Sequence, residues 1–273
     1  MIVTVLIALA LVLYLGASGA LAASFADGRG VAPRTGAAMA RAAVVLHGAG
    51  LVAFTARYAE LPLVGLAPSL ATLAFLIAVF LFASTIAAES RPVGLVLVPL
   101  VAVLLAVALV LGVAPTGQPM AFGGLWFSLH VLLAFIGYAG LTLAFAAGLL
   151  YLLQFRELKG KRLGRVFRFF PSLPVLDTLG RRGLAVGFPA LTLALLLAWA
   201  WTVRFHRTLA VTDPQVIWGI LTWMAFAVVF ALRAVQGPAT ERRAAAASVA
   251  GFVVVVLAYL VLRVFMAGGR VFL

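Results

Sequence analysis

The chain has 273 residues, of which 66% are hydrophobic and only 10% charged, with a mean hydropathy of +1.22. A water-soluble protein of this size must cover itself with polar groups, so the composition excludes a soluble globular domain and predicts an all-α, polytopic membrane helix bundle. The formal charge of +13 comes from 20 basic and 7 acidic residues; the positive-inside tendency and anionic lipids as surface partners account for it, with no nucleic acid required.

Apolar stretches long enough to cross a bilayer recur at 2–22, 38–57, 63–88, 92–113, 124–154, 184–203, 215–235 and 245–266, about eight transmembrane helices in a single integral membrane domain over 1–273. Ala20-Leu21-Ala22 resembles a signal cleavage site, but Met1-Ile2-Val3-Thr4 lacks a basic leader, so the first stretch is expected to be retained. The second carries His47 near its middle. A titratable ring in the hydrocarbon interior faces protein or a cavity, which leaves two readings, a neutral imidazole bonded to a nearby carbonyl or a ligand to buried haem.

The connection at 114–123 is uncharged and holds Pro115, Gly117, Pro119 and Gly123. After it, Trp126 and Phe127 precede His130, about two turns into the fifth stretch. These rings suit either an interfacial aromatic belt or the shielding of a porphyrin face. Gly140, Ala144 and Gly148 form a small-residue stripe that predicts close approach of another helix. The run from Tyr151 to Lys159 should extend the helix out of the membrane.

The 155–183 connection is strongly basic, and Leu163, Val166, Phe167 and Phe170 recur in it at helical spacing. This predicts a short interfacial helix with phenylalanines inserted and arginines at the headgroups. His206 follows the sixth stretch between Arg204 and Arg207; two guanidinium groups there suit haem propionates, and a solvated loop end is the plainer reading. Asp213-Pro214 is a helix start, an N-cap acceptor followed by proline, and Trp218 and Trp223 enter the membrane behind it on partly different faces.

Arg29, Arg34, Arg91, Arg242, Arg243 and the 155–183 basic residues fall on one side by parity. That side is expected to be cytoplasmic, which places both termini, His130 and His206 outside, in a bacterial-type cytoplasmic membrane. An imidazole at such a surface is a candidate axial ligand for haem iron. With no cysteine in the chain, any haem is held without covalent attachment, as a b-type haem, and thiols for a thiol-dependent pathway come from a partner. Paired carboxylates, phosphate-binding glycine loops and metal-spaced His/Glu pairs are absent from the sequence, so no independent catalytic activity is expected.

The run Trp126-Phe127-Ser128-Leu129-His130, then Gly137-Tyr138-Ala139, Gly148-Leu149-Leu150-Tyr151-Leu152 and Leu158-Lys159 resembles the cytochrome c assembly family of membrane proteins. Phe170-Pro171-Ser172-Leu173-Pro174-Val175-Leu176-Asp177 and Gly187-Phe188-Pro189 look most like its HemX-like branch, as does Leu46-His47 followed by Ser69-Leu70. The likeness covers about 40–266. It implies a bundle of about eight helices whose outer face handles haem. Within it, His130 matches an external histidine, and Asp213, Trp218 and Trp223 match the end of a tryptophan-rich segment and the helix after it. In place of the tryptophans expected before Asp213 stand Arg204 to Thr212, and the C-terminal histidine has no counterpart. The resemblance thus implies a haem-binding or accessory protein of cytochrome c maturation. His130 would be a ligand with His206 or His47 opposing it, and other maturation proteins or an apocytochrome would be partners. A membrane regulator or scaffold of haem biosynthesis is the second expectation.

Overall fold

The computed structural model describes residues 1–27, 34–84, 92–116, 124–161, 164–204, 214–234 and 238–265. Their order is α1 (Ile2–Ala26), α2 (Arg34–Tyr58), α3 (Leu66–Ser84), α4 (Gly94–Leu111), α5 (Leu125–Lys159), α6 (Arg165–Phe169), α7 (Leu173–Arg204), α8 (Pro214–Ala234) and α9 (Pro238–Phe265). All but α6 are long and apolar enough to cross a membrane, eight in total among the described residues. The protein is an all-α integral membrane bundle, and the eight predicted spans correspond to these helices in order.

The outer helices bury one stripe and turn apolar residues outward, as lipid requires, whereas α5 is buried on most of its circumference. In α1 the stripe is Val3, Ile7, Ala10, Tyr14, Ala17 and Leu21, spaced by three and four residues so that they share one face, and it packs on α2 and α4. The first four helices form one group, and α5, α7, α8 and α9 form another. α5 joins them: it packs on α3 on one side and on α7 and α9 on the other, and it is the most buried span.

Two boundaries depart from the hydropathy reading. α7 begins at Leu173, not near 184, because the charged turn around Asp177 is helical and packed, with Leu176, Asp177, Leu179, Gly180 and Gly183 all buried. A transfer scale rejects this turn as polar, whereas ion pairing inside the protein lets it pack. α3 begins at Leu66, after a tight loop whose carbonyls accept from the helix: Ser69 Oγ donates to that of Leu63 (3.0 Å) and Thr72 Oγ1 to that of Pro62 (2.5 Å). α5 does continue as a helix to Lys159.

The short helix in the basic connection is present as α6, but Phe170 does not insert into a membrane interface. Phe169 and Phe170 are buried in the protein against Phe25 at the end of α1, with ring centroids 5.4 and 5.7 Å away. Aromatic rings this close prefer each other to headgroups, where their edges and faces would go unmatched.

Candidate functional site

Trp126, His130, Gly137, Gly140 and Ala144 recur along α5 at spacings of four, seven, three and four, which places them on one face. That face meets α7 running antiparallel. A Cβ added at Gly140 would lie 2.5 Å from the Gly183 carbonyl oxygen and 2.8 Å from the Gly187 Cα; one at Gly183 would lie 3.1 Å from the Ala144 nitrogen. The two backbones are therefore in direct contact, an approach open only to small residues.

Towards the start of α5, side chains cross the same seam. Trp126 Nε1 donates to the Leu197 carbonyl (3.1 Å), and His130 Nδ1 lies 2.8 Å from the Ala194 carbonyl oxygen. A carbonyl can only accept, so a proton is assigned to Nδ1, and in the neutral form of the ring the lone pair then lies on Nε2. This is the arrangement in which metal-binding histidines are held, one nitrogen fixed by a main-chain carbonyl and the other presented to the metal. The ring is half-buried and Trp126 is exposed. His130 thus has the donor atom and the tautomer that holding a haem iron would require.

His47 has different surroundings. It is fully buried on α2, edge-on to Tyr14 of α1 (centroids 6.0 Å apart) and to Phe75 of α3 (5.5 Å). Neither ring nitrogen makes a well-formed hydrogen bond, the Ala71 backbone being within reach of the ring, and the Tyr14 hydroxyl makes none. The two described histidines face different helix pairs.

Trp218 and Trp223 do diverge, as expected. Trp218 donates to the Val255 carbonyl on α9 (3.1 Å) and lies against Tyr138 and Tyr259. Trp223 donates to Thr192 Oγ1 on α7 (3.0 Å) and stacks on Phe188. Tyr138 is two turns along α5 from His130, about 12 Å, so the Trp218 indole belongs to the packed layer beneath the histidine. Arg204 is the exposed last residue of α7. His206, Arg207 and Asp213 lie outside the described residues.

Sequence reasoning missed two features. Trp199 and Trp201 sit one to two turns past Ala194 on α7, Trp199 well exposed; the Trp-Ala-Trp pattern just before Arg204 was the available signal. At the opposite end of α5, Asp177 takes Arg233 Nη1 on one carboxylate oxygen (2.6 Å) and Arg181 Nε on the other (2.7 Å). Nearby, the Tyr151 hydroxyl donates to Glu241 (3.4 Å). These contacts tie together α7 with α8 and α5 with α9. Among the described residues no three His, Cys, Asp or Glu side chains gather as a metal site.

The family model for the cytochrome C assembly protein matches residues 39–268. Similar curated proteins include the cytochrome c biogenesis protein CcsA of Chlamydomonas reinhardtii, 32% identical over 135 residues, 50% of this chain and 37% of that protein. CcsA of Guillardia theta is 29% identical over 150 residues, 50% of each chain. CcsA of Prochlorococcus marinus strain MIT 9312 is 30% identical over 156 residues, again 50% of each. The matched region thus spans half or less of these relatives' length, and α1 precedes the residues that the family model matches.

Proposed function

Because the chain belongs to the cytochrome c assembly protein family, we propose that it serves cytochrome c biogenesis by holding a b-type haem at the outer face of a bacterial-type cytoplasmic membrane. His130 would be the residue that holds its iron. The observation that carries this reading is the 2.8 Å contact between His130 Nδ1 and the Ala194 carbonyl, which leaves Nε2 as the coordinating atom. When bound, the haem supplies an iron centre that accepts this nitrogen and propionates that accept guanidinium donors.

The chain's own residues divide the remaining work. Trp126, bonded to the Leu197 carbonyl, and the exposed Trp199 supply aromatic surface at this end of the α5–α7 seam on which a porphyrin could lie. Arg204, with Arg207 near it in sequence, would neutralise the propionates, and α8, which Asp213 precedes in sequence, carries Trp218 and Trp223. His206 would supply a second ligand, with His47, enclosed by Tyr14 and Phe75, as the alternative. Lacking cysteine, the chain relies on an apocytochrome or another maturation protein for thiols.

The test is absorbance spectroscopy of purified and haem-loaded protein. A Soret band in the native protein that His130→Ala removes or displaces supports ligation; a band identical in both sinks it. A second reading, a regulator or scaffold of the HemX-like kind, draws on the exposed Arg156, Lys159, Lys161, Arg168, Arg182, Arg242 and Arg243. Crosslinking from 155–183 separates the two: a partner captured there, with function lost on charge neutralisation, favours the regulator.

A further inference from the structure

We infer that Gly140 is a positioning residue for His130: the α5–α7 contact at Gly140 sets the Nδ1–H bond to Ala194, and so decides which ring nitrogen keeps the lone pair. The inference rests on His130 being the coordinating residue. Its basis is one continuous register. Gly140 meets Gly183 and Gly187, Gly137 meets Gly187 and Leu191, His130 meets Ala194, and Trp126 meets Leu197. As one chain advances the other recedes, so all four are contacts of a single antiparallel pair.

Magnitudes decide how rigidly the pair transmits a change. Gly140 lies ten residues from His130, about 15 Å along the helix. A methyl group at Gly140 would sit 2.5 Å from the Gly183 carbonyl oxygen and 2.9 Å from the Gly187 nitrogen. Ordinary contact begins near 3.4 Å. Both obstacles are backbone in a regular helix, and neither can rotate away, so the helices must part by close to about 1 Å to restore normal contact. The Nδ1···O distance of 2.8 Å can lengthen by only about 0.4 Å before it leaves hydrogen-bond range. Separation at the glycines exceeds that slack. Freed from the carbonyl, the ring exchanges between tautomers and rotamers, and Nε2 is no longer the fixed donor.

Two other glycines grade and control the effect. At Gly137 the added methyl would meet Leu191 Cβ at 3.0 Å and the Gly187 oxygen at 3.3 Å, a smaller displacement. At Gly148 it would meet the Ala245 carbonyl at 2.9 Å, on α9 and not α7. Crowding there disturbs the bundle without opening the histidine seam.

The experiment is nitrogen-15 NMR of histidine-labelled, haem-free protein in micelles, the His130 signals assigned with His130→Gln, followed by haem titration. In the native protein Nδ1 is the protonated nitrogen. Gly140→Ala is expected to shift both ring signals towards a mixture of tautomers and to weaken haem binding about 10- to 100-fold, the usual cost of losing a partner behind a metal ligand. Gly137→Ala should give a smaller shift in the same direction, and Gly148→Ala none. A folded Gly140→Ala with native ring signals overturns the inference, as does an equal shift in Gly148→Ala. If Gly140→Ala does not fold, Gly137→Ala decides: a partial shift supports the inference, and unchanged signals overturn it. Should no form bind haem while the tautomers respond as stated, the haem reading falls and the positioning role stands.

Discussion

A buried charge is only as stable as its partner, and Asp177 shows this most sharply. Its carboxylate holds Arg233, whose side chain is 6% exposed, while Gly180 leaves the room that the guanidinium occupies: a Cβ there would come within 2.5 Å of Nη2. Asp177→Ala strands Arg233 and should cost about 3–5 kcal/mol, measured as loss of thermal stability in detergent. Asp177→Leu combined with Arg233→Met should recover much of that, since replacing both members of a buried pair is far cheaper than removing one. At Trp223 the expected loss is smaller. Trp223→Phe keeps the stack on Phe188 and removes only the bond to Thr192, about 0.5–1.5 kcal/mol in the same assay. Among single residues, sequence reading picked out His130, Trp126, Trp218 and Trp223 but could not find Ala194 or Arg233. A main-chain carbonyl carries no residue signature, and a basic residue ending an apolar span looks like every other interfacial arginine until its partner is placed.

At the scale of elements, hydropathy marked every span because lipid imposes one simple rule on length and composition. It failed where protein, not lipid, surrounds the chain. The first turns of α7 are helical because Leu176, Leu179 and Gly183 pack inward while Asp177 is paired. α6 is held by aromatic contact and not by headgroups, so Phe169→Ala with Phe170→Ala should release the basic connection. Limited trypsin digestion in micelles should then cut within 155–172 at least several times faster than in the native protein, with the spans left intact. Unchanged digestion would mean that α6 is held by something other than Phe25. The α5 stripe was half legible: Gly140, Ala144 and Gly148 announced close packing, but not that Gly140 serves α7 and Gly148 serves α9. A single line of small residues looks uniform in sequence and is divided between neighbours by the crossing of the helices.

Across the whole molecule, α5 links two helix groups and carries a different contact at each end. Near its start Trp126 and His130 reach α7; near its finish Tyr151 reaches Glu241 on α9. Disturbance of the Asp177 pair should therefore lower overall stability while leaving the His130 ring signals in place, which NMR on Asp177→Ala can check at a temperature where that variant is folded. The Phe25 contacts have a consequence for biosynthesis. Phe25 is translated 144 residues before Phe169, its partner across the bundle. At about 5–20 residues per second, roughly 7–29 s pass during which the Phe25 end of α1 lacks this ring contact. An insertase or chaperone must tolerate that aromatic tip until α6 has left the exit tunnel.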